Sequence, residues 1–289
     1  VIHPLHKAII PAAGFGTRML PAAKAVPKEM LPVLDRPTIQ YVVEEAASAG
    51  VDDLLLITSR NKRAIEDHFD RDAELEQRLS SGNKQALLAS IQSLMGRMSV
   101  HSIRQNEQRG LGDAVRHARR HVGDEPFLCL LGDTIFSGPI PPSAQLADAW
   151  RELGTALVGL EKVHPDNVER YGIVGGTEIR PGVFKLDTLV EKPSKNNAPS
   201  HYAIAARYLL TPAIFDCLDH TPAGKGGEIQ LTDALKLLLQ QQPIHGIVLQ
   251  SRRHDIGNPL DWLKTNLILA RQDPKLWGQL LPLVRSLLQ

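Results

Sequence analysis

The sequence predicts an α/β protein three layers deep, with helices on both faces of a mixed, mainly parallel central sheet. Three observations predict it. Short continuous apolar runs alternate with amphipathic stretches through the first half, as strands buried on both faces and their crossover helices do. The first of these runs, Lys7–Pro11, ends in a glycine-rich turn, which marks a central strand. The 289 residues include 43% hydrophobic side chains, enough for one large core, and no repeat, low-complexity tract or linker divides them. A single Rossmann-like domain over 1–289 is therefore expected. It divides into a first half of about 7–135, a second half of about 136–270 with insertions, and a C-terminal helical segment of about 271–289.

Each element follows from its own pattern. After the first strand, Pro21, Pro27 and Pro32 forbid a regular helix, so an extended loop is expected from Ala12 to about Pro37. Ile39, Val42, Val43, Ala46 and Ala47 recur at helical spacing over about Thr38–Ala49, and Gly50 stands where a C-terminal cap belongs. Leu54–Thr58 reads as a second strand. Helices at about Lys62–Phe69 and Lys84–Met95 precede a third strand at Met98–Arg104. Gly110–His121 reads as helix and Phe127–Leu131 as a fourth strand. Past Asp133 the rhythm changes. Proline-rich Gly138–Pro142 leads into a helix ending near Leu153, and strand-like runs follow at Thr155–Leu160, Tyr171–Gly175 and Gly182–Val190. A leucine-rich helix at about Gln230–Gln241, a strand at Ile244–Leu249 and a helix near Pro259–Ala270 come next. The final Leu276–Leu288 carries an apolar stripe able to dock on the same chain or on a second copy, and a homodimer or homotetramer is expected.

Composition removes several function classes. Lysine and arginine total 33 against 32 acids, so the basic excess of a nucleic-acid-binding domain is missing. The basic run Arg116–His121 is short and has no aromatic residue on which a base could stack. His117 and His121 lie four apart, but without an HExxH carboxylate they read as a solvated helix face. Cys129 and Cys217 are far apart and form no CxxC pattern, so neither a disulfide framework nor a zinc site is expected. No apolar run is long enough to span a membrane, and Val1–Lys7 is too polar for a signal peptide. A cytoplasmic chain with no membrane or nucleic-acid partner is the expectation.

The loop Ala12-Ala13-Gly14-Phe15-Gly16-Thr17-Arg18 carries the first chemical signal. It is not a GxxxxGK[ST] P-loop. It also lacks the third glycine of the dinucleotide fingerprint, whose place Met19 holds. What remains is a flexible backbone able to approach an anion, with Arg18, Lys24 and Lys28 to neutralise it. A phosphate-binding turn is the reading that fits these residues.

Pro11–Glu45 (PAAGFGTRMLPAAKAVPKEMLPVLDRPTIQYVVEE) closely resembles the signature of the sugar nucleotidyltransferases. The run Pro27-Lys28-Glu29-Met30-Leu31-Pro32 resembles more narrowly their bacterial UTP–glucose-1-phosphate uridylyltransferase branch. The likeness continues in order to about Ala270. It runs through Gln105 with Gly110-Leu111-Gly112, Gly132-Asp133, Tyr171-Gly172-Ile173-Val174, Glu191-Lys192-Pro193, Gly227–Asp233 and His254-Asp255-Ile256-Gly257. Two positions depart from the usual pattern: Gly132 stands where a second acid or proline is common, and Ile256 where cysteine is. Neither removes a metal-binding carboxylate.

The resemblance implies an enzyme that joins UTP and α-D-glucose 1-phosphate into UDP-glucose and pyrophosphate with Mg²⁺. Another base, chiefly thymine, another sugar, or a weakly active regulatory relative remain open alternatives. It also implies roles. Asp133 and Asp255 would hold the metal. Arg18 and Lys28 would hold the triphosphate, with Arg18 steadying the departing pyrophosphate. Ala12, Ala13, Gly14, Gly16 and Thr17 would contact the nucleotide, Glu29 would lie near the nucleoside, and Gln105 with Gly110 would read the base. Lys192 would take the sugar phosphate and Glu191 the sugar hydroxyls. Gly172 would let the backbone approach, and Glu228 would lie close to the sugar. Two polyanionic reactants need charge stabilisation and alignment more than a protein nucleophile.

Overall fold

The computed structural model describes residues 2–82, 84–96 and 98–287. In chain order its strands are β1 (Lys7–Pro11), β2 (Pro32–Val33), β3 (Arg36–Pro37), β4 (Asp53–Thr58), β5 (Ser99–Arg104), β6 (Phe127–Leu130), β7 (Thr134–Ser137), β8 (Ala156–Lys162), β9 (Gly172–Arg180), β10 (Val183–Glu191), β11 (Tyr202–Leu210), β12 (Ile244–Val248) and β13 (Arg252–Asp255). Its helices are α1 (Thr38–Ser48), α2 (Arg63–Phe69), α3 (Ala73–Ser81), α4 (Gln85–Met95), α5 (Leu111–Arg116), α6 (Arg119–Val122), α7 (Pro142–Leu153), α8 (Ala213–His220), α9 (Leu231–Leu239), α10 (Pro259–Gln272) and α11 (Pro274–Ser286).

Among the described residues, nine strands form one sheet in the order β5-β4-β1-β6-β11-β8-β12-β10-β9. The sheet is mixed. Parallel pairing runs through β5, β4, β1 and β6 and recurs between β8 and β12, whereas β11 and β10 run antiparallel to their neighbours. Successive side chains on a strand face opposite ways, and β1 shows the result. Ala8 and Ile10 pack into the core beneath α1 and α7, while Ile9 packs with Val115, Phe127, Phe215 and Leu235 on the other face. Because β1 and β6 are adjacent and parallel, their carboxyl ends open at the same edge. The glycine-rich loop leaves from one and Gly132-Asp133 from the other, where open α/β sheets bind ligands.

Several elements differ from expectation. The helix expected over Gly110–His121 divides into α5 and α6, β2 and β3 form within the expected loop, and α3, α8, β7, β11 and β13 come in addition. Strand β11 hides from sequence reading because it is alanine-rich and carries Arg207 at its middle. In the fold that arginine is completely buried against Glu45 of α1. The C-terminal segment forms α11, with Leu283 and Leu287 exposed, and the predicted end at Leu288 lies outside the described residues. Among the described residues no helix is long and apolar enough to cross a membrane.

Candidate active site

The loop after β1 is held at several points. Ala12 donates its N–H to Ile57 O at 2.8 Å, and buried Ala12, Ala13 and Met19 anchor the turn, leaving Gly14, Thr17 and Arg18 exposed. Gly16 adopts φ 65° to start the single turn Thr17–Met19, and a β-carbon there would lie 3.2 Å from the Lys28 stem. Lys28 therefore crosses directly over the loop and reaches Asp133 beyond β6, forming an ion pair. Burial opposes both charges. For Lys28 the fields of Asp133 and Glu29 win, raising its pKa; for Asp133 Lys28 and Arg18 win, lowering its pKa. Both groups stay charged.

Two cavities meet at this pair. One, of about 620 Å³, is lined by Gly14, Thr17, Lys24, Lys28, Lys62 and Gln105, among others. The second, of about 410 Å³, takes in Arg18, Asp133, Gly172, Glu191, Lys192 and Asp255. Lysine stands in the first and aspartate in the second, so a molecule in either reaches the same charged junction.

Asp255 arrives beside Asp133 through backbone pairing. Strand β13 lies antiparallel to β7 with Asp255 opposite Thr134, and Ile256 N–H donates to Asp133 O at 2.9 Å. Gly257 N–H holds Asp255 Oδ1 at 2.8 Å, and a β-carbon on Gly257 would lie 2.6 Å from the Arg18 guanidinium. That glycine lets Arg18 close on the aspartate. Two carboxylates without a third ligand suit Mg²⁺, which takes one or two and fills its octahedron with phosphate oxygens and water. Among the described residues no group of three or more His, Cys, Asp or Glu side chains could hold a metal ion alone.

At the far wall, Glu191 ends β10, accepts from Thr232 Oγ1 at 2.7 Å and forms an ion pair with Lys192 Nζ at 3.2 Å. Lys192 takes the left-handed conformation, φ 44°, while its N–H donates to Tyr171 O at 3.0 Å. Such backbone costs about 1–3 kcal/mol and persists where surrounding structure holds it. A β-carbon on Gly172 would lie 3.1 Å from Thr232 Oγ1 and 3.2 Å from Glu191 Oε2. Gly110, with φ 95°, approaches the Ile229 carbonyl, to which a β-carbon would come within 2.7 Å.

Two carboxylates among the expected site residues do not line the two cavities. Glu29 is only 2% exposed, and its carboxylate accepts from buried Lys62 at 2.6 Å instead of facing the nucleoside cavity. Burial raises its pKa and lowers that of Lys62, pulling both towards neutrality against their mutual attraction. Glu228 is exposed, accepts from Gln230 and lies outside the cleft lining, which Gln230, Leu231 and Thr232 supply instead. The buried carboxylate finds a cation and the exposed one a neighbouring amide.

Sequence reasoning missed Lys62 and Arg253. Arg253 lines the second cavity, pairs with Glu161 at 2.5 Å and lies 4.3 Å over the Tyr171 ring. The signal was the spacing of two residues to Asp255, which puts both on one face of a strand; without β13 that spacing carried no meaning.

The family model for nucleotidyl transferase matches residues 7–272. The chain is 46% identical to a UTP–glucose-1-phosphate uridylyltransferase of Bacillus subtilis, covering 99% of this chain and 96% of that one. It is 44% identical to the enzyme of that name from Staphylococcus haemolyticus, covering 98% of each. A UTP-bound UGPase from Acinetobacter baumannii superposes with a TM-score of 0.90 at 36% identity, over 98% of this chain and 99% of that one. A UDP-glucose pyrophosphorylase complexed with UDP-glucose gives 0.86 at 35%, over 93% and 100%. By sequence and by fold, the chain belongs to the nucleotidyl transferase family.

Proposed function

We propose that this chain is a UTP–glucose-1-phosphate uridylyltransferase that forms UDP-glucose and pyrophosphate. The observation that carries the reading is the junction of two cavities at Lys28 and Asp133. The loop half, 7–135, serves the nucleotide and the half from 136 to 270 serves the sugar phosphate. The names borne by the relatives of nearly equal length support uridine and glucose as the two components.

An oxygen of the sugar phosphate attacks the α-phosphorus of UTP, and the bond to the β-phosphate oxygen breaks, sending its electron pair out with pyrophosphate. Asp133 and Asp255 would hold Mg²⁺, which when bound supplies positive charge to the phosphates. Arg18 and Lys28 neutralise the triphosphate and the leaving pyrophosphate. Lys192 takes the sugar phosphate, with Glu191 beside it for the hydroxyls. The protein's contribution is alignment and electrostatics.

Pyrophosphate release across a panel of UTP, dTTP, CTP, ATP and GTP with several sugar 1-phosphates, with and without Mg²⁺, tests the reading. UTP with glucose 1-phosphate should be the fastest pair. No turnover with any pair would overturn the enzyme reading, and turnover with dTTP alone would overturn the uridylyl assignment.

A further inference from the structure

Resting on that uridine reading, we infer that Asp113 sets base specificity as a positioning residue, fixing the Gln105 amide so that an acceptor alone faces the base. Gln105 follows β5, is only 3% exposed, and lines the nucleotide cavity. Its Nε2 donates to Asp113 Oδ2 at 2.7 Å and weakly to Gly110 O at 3.4 Å. The other oxygen of buried Asp113 accepts from Arg116 Nη2 at 2.7 Å. A carboxylate held by a guanidinium accepts and does not donate, so the amide has one orientation, nitrogen inward and oxygen outward. Among the described residues no donor reaches Gln105 Oε1, nor is it one of the enclosed polar atoms without a partner. It opens on the cavity.

An acceptor at that place recognises an N–H. Uracil has one ring donor on its pairing edge, N3–H, whereas cytosine presents an unprotonated N3 there and would set lone pair against lone pair. Reading by hydrogen bonds rejects the wrong partner strongly, because the site's own polar group is left unpaired. Asp113 touches no substrate in this arrangement; it acts through Gln105.

The test is Asp113→Asn. With the side-chain oxygen kept by Arg116, the new nitrogen faces Gln105, whose amide then turns its oxygen inward and its N–H₂ into the cavity. We compare kcat/KM for UTP and CTP with glucose 1-phosphate, and calorimetric binding of each nucleotide alone, in wild type, Asp113→Asn, Asp113→Ala and Arg116→Met. In Asp113→Asn the CTP-to-UTP ratio should rise at least about tenfold in both measurements. Asp113→Ala, which frees the amide to take either orientation, should move the ratio the same way by less. Arg116→Met loosens the same helix but keeps the acceptor, so its ratio should stay at wild type. An equal loss for UTP and CTP in Asp113→Asn, or an equal shift in Arg116→Met, overturns the inference. A wild-type chain that does not turn over UTP refutes the proposed function instead, and the binding ratios still decide the role of Asp113.

Discussion

Replacing Arg207 by methionine should remove a large part of the fold's stability. Arg207 is 0% exposed at the centre of the sheet. Its Nε and Nη2 donate to the two Glu45 oxygens at 2.8 and 2.7 Å, Nη2 donates to Thr134 O at 2.8 Å, and Nη1 to Ala206 O at 3.0 Å. Its guanidinium also lies 4.7 Å over the Phe136 ring. Methionine fills the volume but leaves the buried Glu45 carboxylate, among the described residues, with Ser143 alone, which donates from N at 3.1 Å and from Oγ at 2.6 Å. Breaking a buried pair from one side costs about 3–5 kcal/mol, against a total stability of about 5–15 kcal/mol. Urea unfolding followed by circular dichroism should show a lower midpoint at an unchanged slope. Combining Arg207→Met with Glu45→Met removes the stranded charge and should recover about 2 kcal/mol or more. Leu131 and Thr134, whose carbonyls Arg207 holds, bracket Asp133, so the single variant should also bind Mn²⁺ more weakly in the presence of UTP. A single variant within about 1 kcal/mol of wild type, or a double variant as unstable as the summed singles, would refute the clamp.

Lys62→Met strands Glu29 in the same way, but with a pH signature. Burial already raises the Glu29 pKa, so the folded state of this variant binds a proton that the unfolded state has lost. Its stability should therefore fall as pH rises from the unfolded towards the folded Glu29 pKa, giving a deficit larger at pH 8 than at pH 5; a pH-independent deficit would show that Lys62 does not hold down the Glu29 pKa. Asp133→Asn keeps a hydrogen-bond acceptor for Lys28 but halves the carboxylate pair, and should abolish Mg²⁺-dependent turnover while the melting curve stays cooperative. Wild-type rates would place the metal elsewhere. Burial pushes the Cys129 thiol up to about 12, and Cys217 is raised as well, so a thiol reagent at pH 8 should find neither in the native chain and both after denaturation. Rapid labelling of native protein would contradict the packing.

Much of the first half was legible because its elements carry a strong local period. The loop Ala12–Pro37, α1, β4 and β6 announce themselves by continuous apolar runs, helical spacing or prolines. The second half was harder to read. Strand β11 is defined by burial of an arginine whose partner lies 162 residues away, which no local window contains. Strand β13 has the sequence RRHD and exists because its backbone pairs with β7. The site follows the same division. Arg18, Lys28, Asp133, Gly172, Glu191, Lys192 and Asp255 line the two meeting cavities. Glu29 and Glu228 do not line them, and which carboxylate finds an internal partner is settled by packing. Lys62, Arg253 and Asp113 show their use only through contacts with residues distant in sequence or turned inward.

The central claim is direct transfer between two substrates aligned at the Lys28–Asp133 junction. The measurement that tests it most directly is the stereochemical course at phosphorus, using UTP with a chiral sulfur at the α-position, glucose 1-phosphate and Mg²⁺. One in-line displacement predicts the α-thio analogue of UDP-glucose with inverted configuration and one equivalent of sulfur-free pyrophosphate. Retention would require a covalent intermediate on the protein, and the absence of any nucleotide sugar would contradict the transferase reading itself.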